Sequence, residues 1–143
     1  MCYKPGDNIA IDEQLFPTKV RCKWTQYIAS KPDKYGIKFW LAVDVKSKHL
    51  VNGFPDLGKD ETRPPGQRLA DSVVMKLMTP YLGKGRNVTI DNYFTSLNLA
   101  RELALKGTSI VGTINKVRRE LPPSAAFDKQ KELHSTSLLK HEN

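Results

Sequence analysis

The chain has 143 residues, of which 39% are apolar and 27% are charged, and its formal net charge is +8. This length fits a single domain with a core of its own. The chain lacks an apolar run long enough for a membrane span and lacks the charge order of a signal peptide, so we expect no membrane association. Cys2 and Cys22 are too few for a disulfide framework or a zinc site, which favours a reducing compartment. The positive charge favours a polyanionic partner such as nucleic acid, although a net charge of this size can also serve solubility alone.

The first half of the chain predicts strands on either side of a basic segment. Residues 8–15 alternate between apolar and polar side chains and predict a strand that carries Asp12. The clearest strand pattern spans residues 36–44, and residues 49–54 can return beside it as the second arm of a hairpin. Glycine and proline punctuate residues 56–66, which predicts a loop.

The segment between the first two strands, residues 17–38, combines cations with aromatic rings. Such a segment suits a phosphate-contacting loop, because cations supply affinity and rings offer stacking faces. A solvated surface loop has a similar composition. Its cations are Lys19, Arg21, Lys23, Lys31, Lys34 and Lys38, and its rings include Trp24, Tyr27 and Tyr35.

The second half predicts alternating helices and strands. Apolar residues at every third or fourth position predict a helix over residues 69–81. The β-branched run at residues 87–90 predicts a buried strand, a further helix follows at residues 96–106, and another strand at 109–114. Gly107 suits the left-handed position that ends a helix.

Asp91 lies between the predicted strand 87–90 and a helix start that Thr95 or Ser96 can cap. A carboxylate at the carboxyl end of a strand lies where α/β sheets bind their ligands, although a turn aspartate has the same local pattern. If the Asp12 and Asp91 strands are parallel neighbours, about 4.8 Å separates their backbones, so the two carboxylates could share a cation. Carboxylates that hold two divalent ions are a standard device for phosphodiester chemistry.

The end of the chain differs in composition. Residues Lys116, Arg118 and Arg119 form a second group of cations, and a polar stretch follows. We expect residues 1–123 to form the domain and residues 124–143 to form a poorly ordered polar tail.

Five motifs occur in order over residues 3–123 and resemble the catalytic domain of piggyBac-type transposases and the host proteins derived from them. The resemblance implies an RNase H-like α/β fold whose mixed sheet has an antiparallel meander and a parallel half. Together with the hydrophobic patterns, it predicts that the Asp12 and Asp91 strands are parallel neighbours, with the strand over residues 37–43 on the other side of the Asp12 strand. It also implies a nuclear DDE nuclease and strand transferase that uses Mg²⁺ at TTAA sites, with Asp12 matching the first catalytic aspartate and Asp91 the second. The motifs are IDEQL (11–15), RC (21–22), KPDKYGIK (31–38), NVTIDNYFTS (87–96) and IVGTI (110–114).

Three features of the family pattern have no counterpart in this sequence. No residue matches the third catalytic aspartate or the cysteine-rich module of the family, and the segments that precede the first strand have no counterpart. We therefore expect a domain truncated before its last core helix, with one sheet face uncovered. An uncovered apolar face favours self-association or a protein partner.

Three functions are compatible with this sequence. The favoured one is a transposon-derived fragment that binds duplex DNA weakly and without selectivity but does not cut it. The alternatives are an active magnesium-dependent transposase and a non-catalytic fragment that binds protein. The residues predicted to contact DNA are Lys19, Arg21, Lys23, Lys31, Lys34, Lys116, Arg118 and Arg119.

Overall fold

The computed structural model describes residues 3–58 and 63–122. These residues form one mixed sheet of six strands and two α-helices. Neither described helix is long and apolar enough to cross a bilayer. The strands are β1 (Asn8–Pro17), β2 (Thr25–Tyr27), β3 (Tyr35–Asp44), β4 (Leu50–Pro55), β5 (Asn87–Ile90) and β6 (Ser109–Gly112), and the helices are α1 (Leu69–Met78) and α2 (Leu97–Leu105).

The sheet has the predicted two halves. Strands β2, β1 and β4 pair antiparallel with β3, whereas β1 pairs parallel with β5 and β5 pairs parallel with β6. The order is β2-β3-β1-β5-β6, with β4 along the same edge of β3 as β2. This arrangement confirms the prediction that β1 lies between β3 and β5.

Strand β2 and the end of β1 were predicted as loop, and there the prediction was wrong. Thr25 to Tyr27 pair with the start of β3, and β1 continues to Pro17. Threonine and tyrosine favour strands, but a three-residue strand among cations leaves no periodic pattern to recognise. Because Pro17 and residues 25–27 pair with β3, parts of the basic segment belong to the sheet.

A proline, a serine cap and a glycine account for where the two helices begin and end. Helix α1 stops at Met78, and Pro80 lies in a 3₁₀ turn that follows it. The Ser96 hydroxyl caps α2 by accepting a hydrogen bond from the Leu99 amide at 3.1 Å. Gly107 takes φ +61°, the left-handed conformation predicted for it.

Both helices contribute to a core on one face of the sheet. Trp40 and Ala42 of β3 belong to this core, together with Ile9 and Ile11 of β1. The strand β3 therefore turns its bulkiest side chain toward the core. The other strand and helix residues of the core are Val88, Ile90, Ala70, Val73, Val74, Leu77, Met78, Leu99 and Leu103.

The opposite face of the sheet is also apolar. Phe39 and Leu41 of β3 line a shallow groove of about 470 Å³ there, together with Phe16 of β1 and Leu50 of β4. Phe16 and Leu50 are each about half exposed. Self-association or partner binding at this face stays a prediction.

Asp44 is a buried carboxylate that joins the N-terminal segment to the β3–β4 turn. Its Oδ2 accepts hydrogen bonds from the Gly6 amide and the Tyr3 hydroxyl, both at 2.7 Å. Its Oδ1 accepts from the amides of Lys46 at 2.8 Å and Ser47 at 3.2 Å. These bonds, the Gly6 amide first, hold the pKa of Asp44 well below its usual range.

An Asp44→Asn variant should therefore unfold at a lower temperature than the parent at pH 7. Because the folded-state pKa of Asp44 is lowered, its stabilisation is present above the unfolded-state pKa, about 3.9, and is lost as the pH falls below it. Thermal melts of both proteins at pH 7 and pH 3 check this, with Asp33→Asn as an exposed control. A difference in melting temperature that is the same at both pH values would contradict the role given to the carboxylate.

Candidate active site

The pairing of β1 with β5 places Asp12 and Asp91 beside each other. The parallel register joins Asn8 to Asn87, Ile9 to Val88 and Ala10 to Thr89. Asp12 and Asp91 each lie two residues beyond the last of these pairs, so the two aspartates are level, with Asp91 directly after the end of β5 and Asp12 in the middle of the longer β1. The adjacency expected from the sequence is thus observed.

Both carboxylates are exposed to solvent, and each has one oxygen held by backbone amides. Asp12 Oδ1 accepts from the Glu13 amide at 2.8 Å. Asp91 Oδ1 accepts from the amides of Tyr93 at 3.0 Å and Phe94 at 3.4 Å. These amides use only Oδ1 of each exposed carboxylate, so Oδ2 is on the side open to a ligand.

This pair of carboxylates fits a hard divalent cation such as Mg²⁺, which prefers carboxylate oxygens. Glu13 lies next to Asp12, and burial together with the Asp12 charge raises its pKa, while Lys31 opposes the shift. Within residues 3–58 and 63–122, no three His, Cys, Asp or Glu side chains form a group that could hold a metal ion. The site described here therefore consists of two carboxylates.

The loop that follows Asp91 is held in place by two arginines. Arg68 donates to the Tyr93 carbonyl at 2.9 Å, and Arg118 donates to the carbonyls of Asn92 at 3.1 Å and Tyr93 at 3.3 Å. The Tyr93 ring stacks on Trp40 with centroids 6.1 Å apart. The position of the Asp91 carboxylate thus depends on contacts from the residue that precedes α1, from β3 and from a residue after β6.

Buried Asp71 of α1 anchors this arrangement. Its Oδ1 lies 3.2 Å from Arg68 Nη1 and accepts a hydrogen bond from the Ser96 hydroxyl at 3.3 Å. Burial raises the pKa of Asp71, and the Arg68 charge opposes that shift. Asp71 was not predicted as a site residue, although it lies three residues before Val74 and so on the buried side of the helix.

The cations of the basic segment fall into two groups. Lys31 pairs with Glu13 at 3.4 Å, and Lys38 pairs with largely buried Asp56 at 2.6 Å, so both carry structural contacts. Lys19, Arg21 and Lys34, in contrast, form no ion pair with any residue that the structure describes. Lys23 lies over the Trp24 ring at 4.9 Å, Lys116 and Arg119 are exposed, and Arg118 lies 3.8 Å from Glu120.

The unpaired cations lie toward the same end of the sheet as the carboxylates. Pro17 ends β1 five residues beyond Asp12, a distance of about 17 Å along an extended strand. Lys19 and Arg21 follow directly, and the turn that carries Lys34 leads into β3 opposite Pro17. A polyanion that passes the two aspartates can therefore also reach these cations.

Comparison with known proteins agrees with this geometry. A family model described as Transposase IS4 matches residues 1–143. The chain is 39% identical to a piggyBac transposase solved by cryo-EM in a synaptic complex with hairpin DNA, with a TM-score of 0.84 over 91% of this chain. The match covers 27% of that transposase, so this chain spans about a quarter of its length. The mixed sheet is thus that of the RNase H-like transposase fold, and the chain belongs to the Transposase IS4 family as the catalytic-domain region of a piggyBac-type protein.

Proposed function

We propose that this chain binds DNA through the unpaired cations next to β1 and β3 and binds a divalent metal ion between Asp12 and Asp91. The observation that carries the proposal is the parallel register that brings the two aspartates level, each with an accessible oxygen. The similar piggyBac transposase was solved with hairpin DNA, which supports DNA as the partner. A nuclear location is part of the same proposal.

In this proposal the carboxylates bind the metal ion and the cations bind the DNA. Asp12 and Asp91 would each offer Oδ2 to a magnesium ion, which when bound supplies positive charge for phosphodiester chemistry. Arg68 and Arg118 keep the Asp91 loop in position. Lys19 and Arg21 would contact phosphates, which require charge more than a fixed geometry.

We further propose that this 143-residue chain does not cut DNA by itself. Two carboxylates supply few ligands for a pair of ions, and phosphodiester cleavage commonly uses two metals. Purified chain incubated with supercoiled plasmid and Mg²⁺ should leave the plasmid closed. Nicking that depends on Mg²⁺ and disappears in Asp12→Asn would instead establish the alternative, an active nuclease.

Metal binding itself has a direct test. Asp12→Asn and Asp91→Asn should each weaken Mn²⁺ binding at least tenfold in a titration followed by electron paramagnetic resonance, because each removes a charged ligand from a two-carboxylate site. Asp33→Asn is the matched control, since Asp33 is also exposed but lies in the basic segment. Equal Mn²⁺ affinity in all four proteins would overturn the metal site.

The same variants separate metal binding from DNA binding. In the absence of divalent metal, Asp12→Asn and Asp91→Asn should bind duplex DNA as well as the parent or slightly better, because each removes a negative charge from the proposed DNA-facing surface. Filter binding or fluorescence anisotropy in EDTA measures this. A large loss of DNA affinity without metal would show that the aspartates act on DNA in another way.

A further inference from the structure

A wide groove lies beside the unpaired cations. It has a volume of about 850 Å³ and lies between the end of β1, the loop after it, and the β2–β3 pair. Its walls combine two kinds of side chain, the cations Lys19 and Arg21 and the rings of Tyr27 and Tyr35, with Asp33 as the one acid among the residues that line it. Nothing in the metal site accounts for this combination.

The two tyrosines form an exposed aromatic pair. Tyr27 of β2 lies opposite Tyr35 of β3 in the sheet, and their ring centroids are 4.9 Å apart. More than half of the surface of each residue is open to solvent, at 57% for Tyr27 and 58% for Tyr35. Neither hydroxyl forms a hydrogen bond with a described residue. The rings therefore contribute little to the core and present aromatic surface to the groove.

The backbone holds this pair at the base of the turn between β2 and β3. Lys34 takes φ +53°, a conformation that residues other than glycine adopt rarely. The Ile28 amide donates to the Lys34 carbonyl at 2.7 Å, which closes the turn between β2 and β3. The turn thus fixes Tyr35 beside Tyr27.

We propose that this groove binds an unpaired nucleotide of DNA, with its base on the Tyr27–Tyr35 pair and its phosphates on Lys19 and Arg21. The inference deepens the proposed DNA binding and rests on it. Aromatic rings stack on the open face of a base, which a strand offers only where it is unpaired, and cations track its backbone. A groove of this size is ample for one nucleotide.

The position of the groove agrees with this assignment. It begins where β1 ends, about 17 Å beyond Asp12 along the strand. An unpaired nucleotide bound there lies a few nucleotides from a phosphate placed at the two aspartates. The groove would therefore favour DNA whose strands are separated next to the two aspartates. The cations without the groove would bind any duplex.

The test compares three DNA probes of equal length with tyrosine variants. The probes are a single strand, a hairpin with an unpaired loop, and a blunt duplex, and affinities are measured by fluorescence anisotropy at fixed salt. Replacing Tyr27 and Tyr35 together with leucine should reduce affinity for the first two probes roughly 5- to 150-fold, the range for loss of one stacked base. Duplex affinity should change less than twofold. The Tyr27→Phe, Tyr35→Phe double variant keeps both rings and should bind all probes as the parent does.

The results also distinguish failure of the nucleotide site from failure of the proposed DNA binding. If the leucine variant binds all three probes as the parent does, or loses affinity for all of them equally, the nucleotide site is wrong while general DNA binding stands. If the parent binds no probe, both proposals fail. Thermal melts confirm that the leucine variant is folded, which is expected because both side chains are exposed.

Discussion

Replacing Lys19 and Arg21 with alanine and Lys34 with asparagine should reduce duplex DNA affinity roughly 500-fold at 0.1 M salt. Each phosphate contact contributes about 0.9 to the slope of log affinity against log salt, so the slope should fall by about 2.7. None of these three cations forms an ion pair with a described residue, so each is available to a phosphate. Asparagine replaces Lys34 because it tolerates the left-handed conformation seen there.

The control for this experiment removes the same charge elsewhere. Lys46, Lys84 and Lys106 are exposed and lie near the end of β3 and the starts of β5 and β6, at the opposite end of the sheet from the carboxylates. Alanine at all three should leave the salt slope within about half a unit of the parent value. If the two triple variants lose affinity to the same extent, net charge rather than a defined surface governs binding.

Gly36→Ala should destabilise the fold by at least about 3 kcal/mol, because β3 approaches β1 too closely at Gly36 to admit a side chain. An added Cβ would overlap the Phe16 carbonyl oxygen and would lie 2.8 Å from the Phe16 carbonyl carbon. Both are backbone atoms of a paired strand, so no side-chain rotation relieves the clash. Urea unfolding, followed by circular dichroism, measures the effect.

Gly6→Ala is the matched control for this change. Its added Cβ would meet Asp44 Oδ2 at 3.5 Å, an ordinary contact, so the free energy of unfolding should change by less than about 0.5 kcal/mol. Gly36 pairs with Pro17 at the base of the basic segment, so its substitution should also weaken DNA binding. A fully stable Gly36→Ala protein would show that β1 and β3 are not packed as described.

Local patterns were enough to predict most of the elements. The alternation in β1 and β3, the apolar stripe of α1 and the cap at Ser96 are properties of neighbouring residues, and each matches the structure. The order of strands around β1 came from the resemblance to a family, because pairing joins residues far apart in sequence. The β-branched run before Asp91 indicated only that a strand ends there.

Contacts between distant residues could not be predicted in this way. Both faces of β3 carry apolar side chains. The pattern therefore does not predict which face packs against the helices, and in the structure it is the face of Trp40 and not that of Phe39. Lys31 and Lys38 carry the same charge as Lys19, and only the fold shows that acids neutralise them. The arginines that hold the Asp91 loop are likewise 25 residues or more from the carbonyls they contact.

A crystal of this chain with Mn²⁺ and a short DNA tests the central claim most directly, since anomalous scattering locates the metal. The account predicts a Mn²⁺ peak about 2.1 Å from one oxygen of Asp12 and one of Asp91, with the DNA backbone passing from the metal toward Lys19 and Arg21. A metal peak remote from either aspartate, or DNA bound on the opposite end of the sheet, would contradict it.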